Sequence, residues 1–451
     1  MFNNIIRNKK KHNEIYVRKH YNTKEKGEAV HLKKRHPVVY VVLFALGWAF
    51  MYADRNILSP VMGVIQDDWG LSKSELGLMS TIFFLAYAAM QIPAGFLADR
   101  IGRVKVLVSG YILFGVGTIM SGMAPGLLAF LMIRFVTGLG EGTYYGPQYA
   151  ISSVAISQKY RGISSALINS GMAVGISLGF IASSYFTFTL KKDWQFSFYI
   201  FGILTVLVAI LMGLLIKDPH RRSRIKPTGT GVTEPENVRE LFSKNHLITY
   251  VLIFCSLYGF FSMMTWLPYY LQTERGVPGS RTGVIASLVP WSSIPGALFF
   301  GYLSDKIKNK KIMVFTLAVL GTICQFVVPY SDSFSFMIAG LVVYGLIGKL
   351  ALDPVLISFI ADHTSSAMYA RVFGIFNFAG MLSSIFAPYI TGYLAEVTGN
   401  MEIGFYLSGI LLLFGGFLFL FSDGQPFKAA VKKQRRTQRY EAKFVPGREN
   451  P

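Results

Sequence analysis

The sequence predicts an all-α integral membrane protein of twelve transmembrane helices, arranged as two six-helix, pseudo-symmetric bundles. Three observations carry this. Of 451 residues, 52% are hydrophobic and 15% charged, with a mean hydropathy of +0.43, whereas an ordinary soluble domain carries about 25% charged residues. The apolar residues also gather in runs of about 20, long enough for a helix to cross a hydrocarbon core of about 30 Å. Finally, six runs, a polar stretch and six further runs follow one another, and a peptide recurs at the same place in each set.

The first set of runs lies near 38–63, 77–98, 104–124, 127–149, 163–187 and 196–216. The second lies near 246–271, 281–303, 311–330, 334–360, 369–394 and 403–422. Backbone amides find no water in lipid, so only helices or closed barrels span it. The alternating segments of about 10 residues that a barrel requires are absent. Between the sets, 217–245 is rich in Pro, Gly, Thr and charge and reads as a flexible linker. The division is therefore a basic tail (1–37), a bundle (38–216), a linker (217–245), a second bundle (246–422) and a second basic tail (423–451).

The net charge of +20 is concentrated outside the runs. Residues 1–37 hold eleven Lys/Arg and 423–451 hold eight, while Arg221, Arg222, Arg224 and Lys226 mark the linker. The short loops at 99–105, 157–162, 305–311 and 362–371 are basic or mixed, and 123–126 is uncharged. The positive-inside rule then puts both termini in the cytoplasm, beside the anionic inner leaflet of the cell membrane. No nucleic-acid-reading motif accompanies the charge. Cys255 and Cys324 sit inside apolar runs and read as free thiols. No metal, phosphate-loop or Ser/His/Asp pattern is present, so neither a cofactor nor an enzyme is expected. The polar, basic first 35 residues do not resemble a cleavable leader.

The recurring peptide is Gly95-Phe-Leu-Ala-Asp99-Arg100-Ile-Gly102-Arg103 after the second run and Gly301-Tyr-Leu-Ser-Asp305-Lys306 after the eighth. Gly95 would permit close helix approach, and Asp99 could accept hydrogen bonds from a neighbouring helix N-terminus. With Lys105, the first copy matches G-x-L-a-D-r-x-G-r-k, and across nearly its whole length the chain resembles the major facilitator superfamily. The resemblance implies that Gly95, Asp99, Arg100, Gly102, Arg103 and Asp305 form a gating latch between the halves, away from substrate.

Ionisable residues within apolar runs cost about 2.5–3.5 kcal/mol each on insertion scales, and so mark function or internal pairing. Asp54 and Arg55 are adjacent, hence about 100° apart on a helix, and can serve different neighbours. They could form a local salt bridge, or Arg55 could offer its planar fork to a carboxylate. Arg134 and Glu141 lie seven apart on one face, with Gly138, Gly140 and Gly142 thinning the helix. A desolvated carboxyl takes up a proton readily, as a coupling site requires; the alternative is a structural ion pair with an arginine elsewhere. Lys349 and Asp353, spaced i,i+4, read first as an internal salt bridge and second as a cationic substrate contact. Tyr87, Gln91, Gln148, Asn169 and Asn377 are further polar groups in the runs, any of which can be interhelical glue.

Several segments together resemble the anion:cation symporter branch, which includes hexuronate, galactonate and sialin-like transporters. They are Asp54-Arg55-Asn-Ile-Leu-Ser, Phe83 to Gly95, Arg134 to Gly142, Trp266-Leu-Pro268, and Asn377 through Ala387-Pro388 to Gly392. The resemblance implies that Arg55 binds a substrate carboxylate, that Asp54 and Glu141 carry protons with Arg134 beside them, and that Tyr52, Tyr87 and Asn377 line the pocket. Proton symport of a small organic anion by alternating access, in a monomer, is the expectation. Two departures, Met172 where sugar-acid carriers place a polar residue and the unexpected Lys349, point to a smaller or more anionic substrate such as a dicarboxylate or sulfonate. A spinster-like lysolipid or sphingoid exporter shares the Asp-Arg and Gly-x-Gly-Glu elements and is the alternative, with another proton-coupled efflux carrier beside it. A non-transporting membrane sensor would be expected to lose the intramembrane acids.

Overall fold

A computed structural model of the chain describes residues 37–157, 160–217, 238–307, 309–365 and 368–423. The two basic tails and the arginines of the linker lie outside these residues. The described residues contain helices and no strand. The first half comprises α1 (Pro37–Asn56), α2 (Met62–Trp69), α3 (Lys73–Ile101), α4 (Arg103–Gly122), α5 (Leu127–Gly142), α6 (Tyr145–Ala155), α7 (Arg161–Ser184) and α8 (Gln195–Leu215). The second comprises α9 (Lys244–Thr273), α10 (Gly279–Lys306), α11 (Lys310–Tyr330), α12 (Phe334–Ile347), α13 (Lys349–His363), α14 (Tyr369–Thr398) and α15 (Glu402–Phe419).

Eleven stretches of the described residues are long and apolar enough to cross a membrane. The pair α5–α6 supplies the remaining crossing; neither piece is long enough alone. Three predicted runs prove to be broken. The first bends through a 3-10 turn at Ser59–Val61, where Pro60 cannot continue the helical hydrogen bonding. The fourth breaks at Thr143–Tyr144, because Pro147 has no N–H to return to the Thr143 carbonyl. The tenth breaks at Gly348. The fourth and tenth crossings are equivalent in the two halves, and transporters place irregular backbone where it lines a cavity.

Close backbone contact between crossings rests on small residues. A Cβ at Gly171, Gly175 or Gly179 of α7 would run into the carbonyl oxygens of Ala45, Ala49 and Ala53 on α1. Lipid supplies no hydrophobic drive, so such surfaces pack by direct van der Waals contact. Overpacking a well-filled interface costs about 1–3 kcal/mol or more. Gly175→Val is accordingly expected to lower the melting temperature of the purified protein by several degrees, while Val174→Ala on the exposed side leaves it nearly unchanged.

The halves meet along α3 with α14, α7 with α10, and α9 with the Ser59–Val61 turn. An even number of crossings returns the chain to its starting face, so each helix has a terminal-face end and a far-face end. At the far face, Gln272 Nε2 donates to the Pro60 carbonyl at 2.9 Å and Tyr269 Oη to Gln66 Oε1 at 2.6 Å. Thr81 Oγ1 donates to the Ile385 carbonyl at 2.8 Å, and a Cβ at Gly77 would strike the Pro388 carbonyl. A capping box, Ser72 with Glu75, opens α3. Glu396 of α14 then accepts from both the N–H and the hydroxyl of Ser74 across the interface. This carboxylate occupies the anion-favouring end of α3 and ties the halves together at the far face. With Glu396→Gln, a cysteine placed at Ser59, behind this closure, is expected to react several-fold faster with a hydrophilic maleimide. An unchanged rate would deny Glu396 that role.

Within the stretch expected to be a flexible linker, Val238–Phe242 forms a 3-10 turn. It is anchored: Glu240 accepts from the Ser365 N–H at 2.6 Å and hydroxyl at 2.8 Å. The buried His246 joins the Glu240 carbonyl (2.6 Å) and the Thr364 hydroxyl (3.0 Å). These partners are distant in sequence, so composition alone reads the segment as loose.

Candidate functional site

The last turn of α1 carries Asp54 and Arg55, 0% and 8% exposed, and their side chains part as the 100° step requires. Asp54 turns into its own half, where Oδ2 accepts from Thr118 of α4 at 3.2 Å and Thr205 of α8 at 3.1 Å. Its Oδ1 is buried without a hydrogen-bond partner among the described residues. The two acceptor bonds explain how a carboxyl tolerates this apolar setting. Thr118 and Thr205 gave no signal in the sequence, since hydroxyl residues are common in apolar runs.

Arg55 forms an ion pair with Glu141, in the last turn of α5. The local salt bridge between Asp54 and Arg55 is therefore not what forms. The Arg55 guanidinium is also caged by rings, with Cζ 4.7 Å from the Tyr52 centroid, 4.5 Å from Tyr87 and 5.3 Å from Phe84. Ring faces stabilise a cation that has left water without occupying its hydrogen-bonding edge. Arg134, 1% exposed, lies 4.4 Å over the Phe83 ring, and its Nε and Nη1 have no hydrogen-bond partner among the described residues.

The glycines around Glu141 make this geometry possible. A Cβ at Gly138 would meet the Phe83 carbonyl, one at Gly142 the Tyr87 carbonyl at 2.7 Å, and one at Gly140 the Gly110 carbonyl at 2.7 Å. α5 is thus pressed between α3 and α4. The helix ends one residue beyond Glu141, and the following Tyr144 donates to the Phe44 carbonyl at 3.0 Å. Trp48 stacks on Tyr52 with centroids 5.6 Å apart and donates to Gln148 at 3.3 Å, which fixes the floor beneath Arg55.

A cavity opens beside Arg55 between the halves. Tyr52, Arg55, Asn56, Ser59, Ser80 and Phe84 line it from the first half; Phe260, Phe261, Met264 and Thr265 of α9 line it from the second. Of the residues expected to contact substrate, Arg55 and Tyr52 lie on this wall. Tyr87 is buried against the guanidinium instead. Asn377 donates to Gln91 Oε1 at 3.5 Å, bridging α14 and α3. Lys349 pairs with Asp353 at 2.7 Å, with its Nζ 5.4 Å from the Phe260 ring. The first of the two readings of this pair, an internal salt bridge, is the one that forms, so the Lys349 charge is matched one helical turn away.

The peptide from Gly95 to Arg103 forms the last turns of α3 and the corner that follows, at the terminal face. Asp99 and Arg100 are exposed and form no ion pair among the described residues. Gly102 has φ +105°, a conformation that only glycine adopts readily, and makes the sharp corner between α3 and α4. Arg103 is half-buried. Gly95 differs from expectation: a Cβ there would meet nothing within 4 Å, so no helix is packed on it. The Asp305 side chain lies outside the described residues.

A family model described as Major Facilitator Superfamily matches residues 44–326 and 270–448. The chain is 27% identical over 421 residues to the "probable sulfoacetate transporter" of Cupriavidus necator, covering 86% of this chain and 94% of the relative. It is 27% identical over 406 residues to the hexuronate transporter of Bacillus subtilis, covering 85% and 93%. Among solved structures, it is similar to a bacterial homologue of the human lysosomal transporter Spinster in an inward-facing, occupied conformation. The TM-score is 0.68 at 15% identity, covering 85% of this chain and 96% of that one. At that identity the likeness concerns the fold.

Proposed function

Since the chain belongs to the Major Facilitator Superfamily and is a multi-pass membrane transporter rather than an enzyme, we propose that it carries a small organic anion across the cell membrane. Carriage is by alternating access in symport with protons, and both termini are cytoplasmic. The observation that carries this reading is the Arg55–Glu141 pair at the edge of the cavity between the halves. Arg55 is the cation on the cavity wall, and its fork has two candidate partners, the Glu141 carboxylate and an incoming anion.

The two compete. While Glu141 is ionised it holds Arg55 and the site is self-neutralised. Protonation of Glu141 leaves the guanidinium uncompensated in a ring-lined cage, where an unpaired charge is costly, and so favours an anion at the same fork. Proton and anion then occupy the site together and leave together, which is symport in thermodynamic terms. Asp54, sealed from the cavity and held by Thr118 and Thr205, is suited to a second proton site that opens only when α1 moves against α4 and α8. Gly102 and its neighbours at the terminal face, and Ser74 with Glu396 at the far face, are positioned to latch the two ends of α3 in turn.

The experiment is accumulation of radiolabelled anion in proteoliposomes under an imposed proton gradient. Wild-type protein is expected to concentrate the anion when protons flow inward with it, and a protonophore is expected to abolish this. Accumulation that ignores both would overturn the coupling.

A further inference from the structure

Of the cavity wall, Arg55 and its rings account for one end. The other end carries three hydroxyls, Ser59 on the 3-10 turn, Ser80 on α3 and Thr265 on α9. They are 4%, 7% and 6% exposed, yet none makes a hydrogen bond to another described residue. Many buried hydroxyls in these helices are satisfied by their own backbone one turn earlier, as Ser121 is by Gly117, Ser177 by Ala173 and Thr322 by Ala318. That is a common fate of a hydroxyl in an apolar helix, and leaving the bond unmade costs stability. Others, such as Ser197, Ser256 and Ser304, are buried without a hydrogen-bond partner among the described residues, but they are scattered and do not line this cavity. Three such groups from three elements and both halves, converging on one cavity, mark a polar subsite.

The remaining wall decides what the subsite takes. Phe84, Phe260, Phe261 and Met264 surround it, and among the described residues no cation other than Arg55 lines the cavity. Lys349, beyond Phe260, is held by Asp353. A second carboxylate would be stripped of water against rings and thioether with only neutral donors to meet it, and such a charge is poorly compensated. A neutral hydroxyl or carbonyl fits: Ser and Thr both donate and accept, and the apolar wall covers the carbon chain between the two ends.

We propose that Ser59, Ser80 and Thr265 form a second subsite that reads a neutral polar group at the distal end of the substrate, so that this transporter selects short monoanions with an ω-hydroxyl or carbonyl over dicarboxylates. The proposal rests on the assignment of Arg55 as the anion site. It differs from a sugar-acid or dianion preference, because it asks for one charge and one compact neutral terminus.

The test uses purified full-length protein and thermal-shift titration with three matched series of three to five carbons. These are ω-hydroxy monocarboxylates, the corresponding alkanoates and the corresponding dicarboxylates. The ω-hydroxy series is expected to bind about tenfold more tightly than the alkanoates, the discrimination of a met against an unmet hydrogen bond, with the dicarboxylates weakest. Ser59→Ala, Ser80→Ala and Thr265→Val are each expected to erode the preference for the ω-hydroxyl while alkanoate binding persists, and Thr265→Ser to retain it. Dicarboxylates binding best, no preference between hydroxyl and methyl termini, an unchanged preference in all three variants, or no binding of any series would each overturn the subsite. Loss of all binding in the Arg55→Gln/Glu141→Gln protein supports the anion site on which the proposal stands. Unaltered binding in that double variant would instead remove the anion site itself, whatever the hydroxyl variants do.

Discussion

Uptake by an Arg55→Ala variant is expected to fall by about 100-fold or more, with the protein still folded and in the membrane. Truncating one partner of a buried, hydrogen-bonded charge pair costs about 2–5 kcal/mol, and here the lost group is, among the described residues, the one cation on the cavity wall. Alanine also leaves Glu141, buried at 0% exposure, without its ion-pair partner and with only the charge of Arg134 nearby, a situation that proton uptake by the carboxyl relieves. The companion Arg55→Gln/Glu141→Gln removes both charges at nearly constant volume, and replacing a buried pair by neutral groups is commonly well tolerated. Thermal denaturation and gel filtration of both variants separate lost folding from lost binding. Normal uptake by a well-folded Arg55→Ala protein would sink the anion-site assignment. Arg55→Lys is expected to be impaired as well, since an ammonium cannot present the planar fork that serves Glu141 and the anion in turn.

Glu141→Gln separates binding from coupling. Glutamine imitates the protonated carboxyl in shape and leaves Arg55 free in every state, so anion for anion exchange is expected to continue at rates near those of wild type. Accumulation against a gradient is expected to be lost, because no proton need bind for the site to load. For the wild type, acidification of the loading side is expected to raise uptake. For Glu141→Gln the exchange rate is expected to be flat across the same pH range, apart from any contribution of Asp54. Accumulation that survives in the variant would move the coupling role away from Glu141, with Asp54 and its Thr118 and Thr205 partners the next place to look. The two substitutions are neighbours in one network, so their effects are expected to be strongly non-additive.

Much of the architecture was legible beforehand. The apolar runs correspond to crossings, and the small face at Gly138–Gly142 to close contacts. Their information is local: a run needs length, and a glycine face needs spacing. The breaks at Thr143 and Gly348 were missed, although Pro147 signalled the first, because hydropathy does not sense a lost backbone hydrogen bond. Gly95 failed in the other direction. Spacing can say that a helix could come close, and only the packing says that none has.

For the site itself, the sequence determined which residues must be accounted for. Asp54, Arg55, Arg134, Glu141 and Lys349 interrupt apolar runs at a cost that any position in lipid would impose, whatever the partners. Partnership was decided by the tertiary structure. Arg55 joins Glu141 from a helix 86 positions away, Asp54 turns to Thr118 and Thr205, Arg134 lies over Phe83, and Lys349 stays with Asp353. The hydroxyls of Ser59, Ser80 and Thr265 acquire meaning only there as well. The physical reason is that desolvation is paid residue by residue, whereas its compensation depends on which helices the fold brings within hydrogen-bonding reach.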